Sequence, residues 1–319
     1  MPCNEHNHMS DLHRAYDDCR RLNATHGRTY YLATLLLPAH KRPAVHALYA
    51  LARYADDIVD VASGSRTAAA SGLDDLQRAL RAGAGGPRLL LAVQDTVRRW
   101  QIPTQHFDAF FASMRMDLDV TEYPTWEDLC VYMHGSAAVI GLQMLPILEP
   151  MPGMTEVAAP YAADLGRAFQ LTNFIRDVGE DLNRGRVYLP KEDLAAFGVS
   201  RDDLESGVIT AATRRLLAFE VQRARELFRQ AEPGIRLLHP TSRDCVRTAF
   251  LLYRGILDEV ERADYDVLHQ RVRVGTARRA SVAVPALVRA WRARRPHQTH
   301  QDSVCSTSEN PNAMSSTGA

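Results

Sequence analysis

The sequence predicts an all-α chain folded as one domain of many helices. Three observations lead there. Alternating, β-branched strand patterns are nearly absent from the 319 residues, apolar residues recur instead at helical spacing, and turn-forming prolines and glycines cluster between those recurrences. The composition, 46% hydrophobic and 24% charged, is that of an ordinary globular protein, and the length suffices for one large core.

Each element follows from local signals. Residues 1–10 are polar and are expected to be flexible. A first helix is predicted from Asp11 to Leu22, and Gly27 opens a turn. Thr29–Leu37 is an apolar run ended by Pro38, and Pro43 suits the first turn of a helix that continues to Val61. Residues 63–72 and 82–87 read as loops. The glycines at 83, 85 and 86 do not make a phosphate loop, because no strand precedes them and the dinucleotide spacing is not met. Leu89–Trp100 and Thr104–Asp119 are amphipathic helices.

Thr125–Leu148 is a longer helix, capped by Thr125, with Glu127 and Asp128 in its first turn and Pro146 to kink or end it. Its small residues, Gly135 to Gly141 (GSAAVIG), either let a neighbouring backbone approach or leave room for a long apolar ligand. A helix follows from Thr155 to about Asp181. The run VYLP after it is too short for a sheet, and Asp193–Phe197 suits a helical turn. Thr210–Glu232 and Ser242–Ala263 are long helices separated by Pro233-Gly234 and Pro240. The last helix is expected over Val282–Arg294. Residues 296–319 are polar and poor in bulky groups, as in a disordered tail, so the folded domain is expected to span 11–295.

Two helical faces carry the chemistry. Gln170, Asn173, Asp177 and Asp181 are spaced to share one stripe of a continuous helix, as are Tyr49, Arg53, Asp56 and Asp60. A single DxxxD is common on solvated helices. Two of them, inside alanine- and leucine-rich helices where like charges at i,i+4 are unfavourable, point to a compensating cation. Oxygen donors of this kind suit Mg²⁺, which keeps waters and completes its shell with substrate phosphates, with Mn²⁺ as the substitute. Asp56, Asp60, Asn173, Asp177 and Asp181 are therefore the candidate metal ligands, and the reaction that needs them is ionisation of a diphosphate. Arg53 and Arg176 lie beside the motifs as cationic partners, with Arg186 and Arg271 farther along.

The rest of the composition bounds the setting. A formal net charge of zero gives nothing to attract nucleic acid. Five cysteines without metal-type spacing suit a reducing, cytoplasmic compartment, and neither a signal pattern nor a run of 18 apolar residues is present. Eight arginines and no acid between Val267 and Arg295 fit a solvated face or peripheral contact with anionic lipid.

YALARYADDIVD together with FQLTNFIRDVGEDLNRGRVYLP resembles the squalene/phytoene synthase family, in particular bacterial phytoene synthases, from about Tyr16 to Trp291. The resemblance implies a helical bundle of the isoprenoid synthase type with a central cavity. It implies head-to-head joining of two prenyl diphosphates through a cyclopropylcarbinyl diphosphate. It assigns Asp56, Asp60, Asp177 and Asp181 to metal binding, Arg53 and Arg271 to diphosphate, and Tyr49, Tyr132, Tyr188 and Tyr253 to the active site. HGRTYYLAT resembles a segment rich in serine in the family; Gly27 replaces its first serine, while Thr29 and Tyr30 occupy the following contact positions. With geranylgeranyl diphosphate the product is phytoene and NADPH is not expected. A downstream desaturase would be the pathway partner. The alternatives are squalene or dehydrosqualene formation from farnesyl diphosphate, a head-to-tail synthase or cyclase, and a non-catalytic scaffold, which would be expected to lose motif aspartates.

Overall fold

The computed structural model describes residues 3–61 and 65–294. The expected tail 296–319, Arg295 and the start of the 63–72 loop lie outside the described residues. The first half comprises α1 (Cys3–His26), α2 (Arg28–Thr34), α3 (Arg42–Val61), α4 (Arg66–Ala82), α5 (Leu89–Trp100), α6 (Gln105–Met116) and α7 (Trp126–Met133). A π-helical turn, His134–Ala138, joins α7 to α8 (Val139–Leu148). There follow α9 (Thr155–Arg176), α10 (Val178–Asn183), α11 (Lys191–Phe197), α12 (Arg201–Glu205), α13 (Ala211–Ala231), a 3₁₀ turn (Glu232–Leu237), α14 (Pro240–Arg262) and α15 (Thr276–Ala293). Among the described residues the only β pairing is two isolated bridges, Glu122 with Val187 and Pro150 with Leu238, so VYLP forms no sheet.

Two apolar clusters hold the bundle together. One packs α3 against α1, α5 and α6 through residues such as Leu48, Leu51, Leu90 and Phe111. The other packs α9 against α13, α14 and α7 through Leu171, Leu217, Phe228 and Leu257. Leu148 and Phe169 pack on both clusters, and both face the cavity that lies between them. The run Trp126–Leu148 is long and apolar enough to cross a membrane, but 56% of its most apolar window is buried inside this protein, as for a core helix. The close-packing reading of GSAAVIG holds at Gly141. A side chain at Gly141 would meet the Ala162 carbonyl at 2.1 Å, and the same stretch lines the cavity.

The structure departs from the sequence expectations at four places. Helix α1 begins at Cys3, before the expected start at Asp11. Residues 66–72, read as loop, belong to α4: the Ser65 hydroxyl accepts from the Ala68 amide as an N-cap, and Ala69, Leu73 and Leu76 are buried on one face. Alanine is the strongest helix former, so TAAAS was a helix start rather than a connector. Helix α15 begins at Thr276 rather than Val282. The helix expected through Asp181 breaks at Asp177, whose φ of −104° and ψ of 14° lie outside the α region.

Candidate active site

The break at Asp177 has a local cause. A Cβ at Gly179 would lie 2.3 Å from the Leu268 carbonyl oxygen, and the Gly179 amide donates to the Val267 carbonyl at 3.2 Å. The segment after α14 thus lies directly on the second motif, in space that only glycine leaves open. That segment carries Arg271, whose Nε reaches Asp177 Oδ1 at 2.9 Å and whose Nη1 reaches Glu180 at 3.2 Å. Arg176 donates from Nε to the same Asp177 oxygen at 2.7 Å. Asp177 is therefore held between two guanidinium groups, while Asp181, one turn on, has no ion-pair partner among the described residues.

The first motif repeats this division on an unbroken helix. Asp60 is approached by Arg186 Nη1 at 3.3 Å and by Arg184 Nη1 at 3.4 Å. The amides of both arginines donate to the Asp181 carbonyl, at 3.0 Å from Arg184 and 2.9 Å from Arg186, so this loop ties the two motifs to each other. Asp56, by contrast, makes no ion pair among the described residues; Arg53 on the same face pairs with Asp57 instead. The four motif aspartates, with Asn173 and Gln170, line one cavity of about 850 Å³.

Electrostatics single out the unpaired carboxylates. Asp56 is exposed on the wall of the cavity. Enclosure by protein, then the Asp117 and Asp60 charges, push its carboxyl up to about 7. Burial and the Asp177 charge raise Asp181 likewise, to about 7.

Among the described residues no group of three His, Cys, Asp or Glu could hold an ion unaided. The oxygen donors stand as two opposed sets instead, which fits Mg²⁺ held by one or two carboxylates and by phosphates brought in between. The Asn173 Oδ1 atom, buried without a hydrogen-bond partner, is a further free donor on this wall.

Two aromatic groups flank the carboxylates. Tyr30, Tyr49, Phe169 and Tyr253 form one; Tyr253 stacks on Phe169 at 4.3 Å and lies 5.0 Å from Tyr30 between ring centroids. Tyr123, Tyr132, Phe174 and Tyr188 form the other, with Tyr188 and Phe174 stacked nearly parallel at 4.1 Å between centroids. Burial raises the Tyr132, Tyr188 and Tyr253 hydroxyls above the ordinary phenol range, so these rings stay neutral. At Gly27 a Cβ would lie 2.6 Å from the Tyr49 ring, so Tyr49 fills the place a serine side chain would take. Thr29 and Tyr30 line the cavity.

Sequence reasoning missed Asp117. It accepts hydrogen bonds from the Tyr132 hydroxyl at 2.7 Å and from the Tyr188 hydroxyl at 3.0 Å, and its carbonyl accepts from Arg186 at 3.1 Å. Burial pushes its carboxyl up to about 6. It has no acidic neighbour at i±4, so nothing in its own helix marks it. Arg28, Arg184, Arg273 and Arg279 also line the cavity and were missed. Arg273 was legible, because QRVRV alternates exposed arginines at 271 and 273 with buried valines at 272 and 274.

Residues 23–278 match the family model described as squalene/phytoene synthase. The chain is 39% identical to the 15-cis-phytoene synthase of Synechococcus elongatus, over 91% of this chain and 98% of that one. A crystal structure of a dehydrosqualene synthase superimposes with a TM-score of 0.79 at 26% identity, covering 88% of this chain and 97% of that one. The squalene synthase HpnC from Alicyclobacillus acidocaldarius superimposes with a TM-score of 0.71 at 30% identity, covering 80% and 96%.

Proposed function

The chain belongs to the squalene/phytoene synthase family, and from that premise we propose that it condenses two geranylgeranyl diphosphates head to head into phytoene. It is a prenyl transferase of carotenoid biosynthesis. The observation that carries the reading is the single cavity on which both aspartate motifs converge, polar at the motifs and apolar along Leu37, Val45, Ile140, Leu165 and Ile235. A prenyl diphosphate has that same division into an anionic head and an apolar chain.

Mg²⁺ bound by Asp56, Asp60, Asn173, Asp177 and Asp181 would supply Lewis-acid neutralisation of the departing diphosphate. The side chains of this protein do the rest. Arg271, Arg176 and Arg186 face the head group and orient it, and Arg273 adds positive charge at the wall. Heterolysis of the first substrate's C1–O bond leaves an allylic cation. The second substrate's double bond attacks it, and loss of one proton closes the cyclopropane. A second C–O heterolysis, rearrangement and loss of another proton give phytoene, with two diphosphates released and no hydride required. Tyr30, Tyr253 and Phe169 on one side, and Tyr132, Phe174 and Tyr188 on the other, offer π faces to the cations and exclude water that would quench them. A desaturase consuming this hydrocarbon is the expected pathway partner.

Incubation with Mg²⁺ and either geranylgeranyl or farnesyl diphosphate, with and without NADPH, tests this reading. Phytoene from the longer substrate, independent of NADPH, is the expected product. Turnover of farnesyl diphosphate alone would assign dehydrosqualene or squalene formation, and no hydrocarbon from either substrate would overturn the enzyme reading.

A further inference from the structure

We propose that the outer face of α14 and α15 docks on an anionic lipid bilayer. Helix α15 buries Ala286 and Ala290, yet leaves Val284, Leu287, Val288 and Trp291 exposed by 61, 53, 45 and 53%. These four stand at i, i+3, i+4 and i+7, one continuous stripe along the helix. Four large apolar side chains on one outward face are far more than the scattered exposure that needs no explanation.

The neighbouring helix extends the patch and sets its charge. Helices α14 and α15 run antiparallel, zippered by Arg289 on Asp244 at 2.7 Å and by Arg278 on Asp258. On α14, Asp244, Leu251 and Asp258 repeat every seven residues, which turns this edge toward α15. Arg247 and Arg254 share that edge, and both are exposed, as is Leu251 at 39%. Neither arginine has an acidic partner among the described residues, and Arg292 borders the α15 stripe in the same state. The acids nearby are taken up: Asp244 by Arg289, Asp258 by Arg225 and Arg278, and Glu259 by Arg262. Helix α15 itself contains no acid.

An apolar stripe with a tryptophan, bordered by unneutralised arginines, matches the interface of a negatively charged membrane, where arginines meet headgroups and the apolar side chains enter the acyl boundary. A folded-back tail does not suit it, because residues 296–319 offer no comparable apolar run. The same peptide reaches the cavity: Arg271 to Val274 and Arg279 line it immediately before the stripe begins. Docking would therefore bring that wall of the cavity to the lipid boundary. This last consequence rests on the lipophilic substrate and product proposed above; the docking surface itself does not.

Sedimentation of the full-length chain with phosphatidylglycerol/phosphatidylcholine vesicles, and with phosphatidylcholine alone, tests the proposal. Binding is expected to the anionic vesicles and to weaken at high salt. Arg247→Gln with Arg254→Gln should weaken it about thirty-fold. Leu287→Ser with Val288→Ser should weaken it at least about ten-fold, with little recovery at low salt. None of the four side chains lines the cavity, so turnover in detergent micelles should stay at wild-type level, which separates failure of docking from failure of the enzyme reading. Absence of vesicle binding would overturn the proposal. So would wild-type binding by both variants, or a dimer in solution that Leu287→Ser with Val288→Ser dissolves, which would make the face a contact between copies.

Discussion

The two aspartate motifs reach the same electrostatic arrangement from different backbones. On α3 the helix is unbroken and Asp56 and Asp60 sit one turn apart; across the cavity the second motif is split between α9 and α10 at Asp177. In each, one carboxylate is held by two arginines and the other is left without one. Asp60 is held by Arg184 and Arg186, and Asp177 by Arg176 and Arg271. Asp56 and Asp181 remain open and hold their protons to about pH 7. The difference between the walls is where the arginines come from. Those on Asp177 come from the adjacent residue and from the 271 segment, whereas those on Asp60 reach across from the loop that follows Asp181. The first motif thus depends on the second for its neutralisation.

The largest expected effect would come from the open pair. Asp56→Asn or Asp181→Asn should lower turnover by on the order of 10³-fold, since each removes an anionic oxygen donor for the cation that neutralises the diphosphate. Neither should lower the melting temperature, because each relieves carboxylate repulsion. Circular dichroism and thermal melts beside the activity assay check both halves. A variant retaining near-wild-type turnover would break the comparison at its functional end. Asp177→Asn should behave differently: it leaves Arg176 and Arg271 facing each other. Its stability should fall by roughly 2 to 3 kcal/mol, below the range for a fully buried pair because Arg271 keeps contact with solvent. Urea denaturation of this variant against Asp181→Asn measures the contrast directly.

A smaller effect is expected at Asp117, which belongs to neither motif. Asp117→Asn keeps the shape but weakens the acceptance of two tyrosine hydroxyls, so Tyr132 and Tyr188 lose their shared anchor. Turnover should fall by about ten- to a hundred-fold, with the melting temperature lowered by a few degrees. A Tyr188→Phe variant that reproduces most of the loss would place the effect in ring positioning rather than in the charge of Asp117.

What was legible in the sequence follows from which contacts are local. The Asp56/Asp60 face could be read because a straight helix maps spacing onto direction. The Asp177/Asp181 face was misread as one stripe, because the break comes from backbone packing of Leu268 on Gly179, which no periodicity in DVGED encodes. The convergence of Tyr132, Tyr188 and Tyr253 on one cavity needed the resemblance to the family, since their sequence separations are long, whereas Arg53 and Arg176 could be read from their places beside the motifs. Asp117 escaped because its partners, Tyr132 and Tyr188, come from other elements. Residues 66–72 escaped for the opposite reason: small residues were weighed as loop formers when the Ser65 cap and three buried positions made them helix.

The last and smallest effect concerns pH and uses the open pair as its own probe. Asp56 and Asp181 have folded-state values near 7, well above the 3.8 of an unfolded aspartate. Below about pH 4 both states carry the protons and no penalty arises. As pH rises from there toward 7, the unfolded chain releases protons that the folded chain retains, so the stability of the protein without Mg²⁺ should decline across that window and level off above it. Asp56 faces solvent within the cavity, which screens its share and keeps the decline modest. Ionised carboxylates are what a divalent cation binds, so added Mg²⁺ should raise the melting temperature more at pH 8 than at pH 5.5. The double variant Asp56→Asn with Asp181→Asn should lose both the decline and the response to Mg²⁺. An Mg²⁺ response in that variant equal to the wild type at both pH values would move the cation away from the open carboxylates and onto the arginine-held pair.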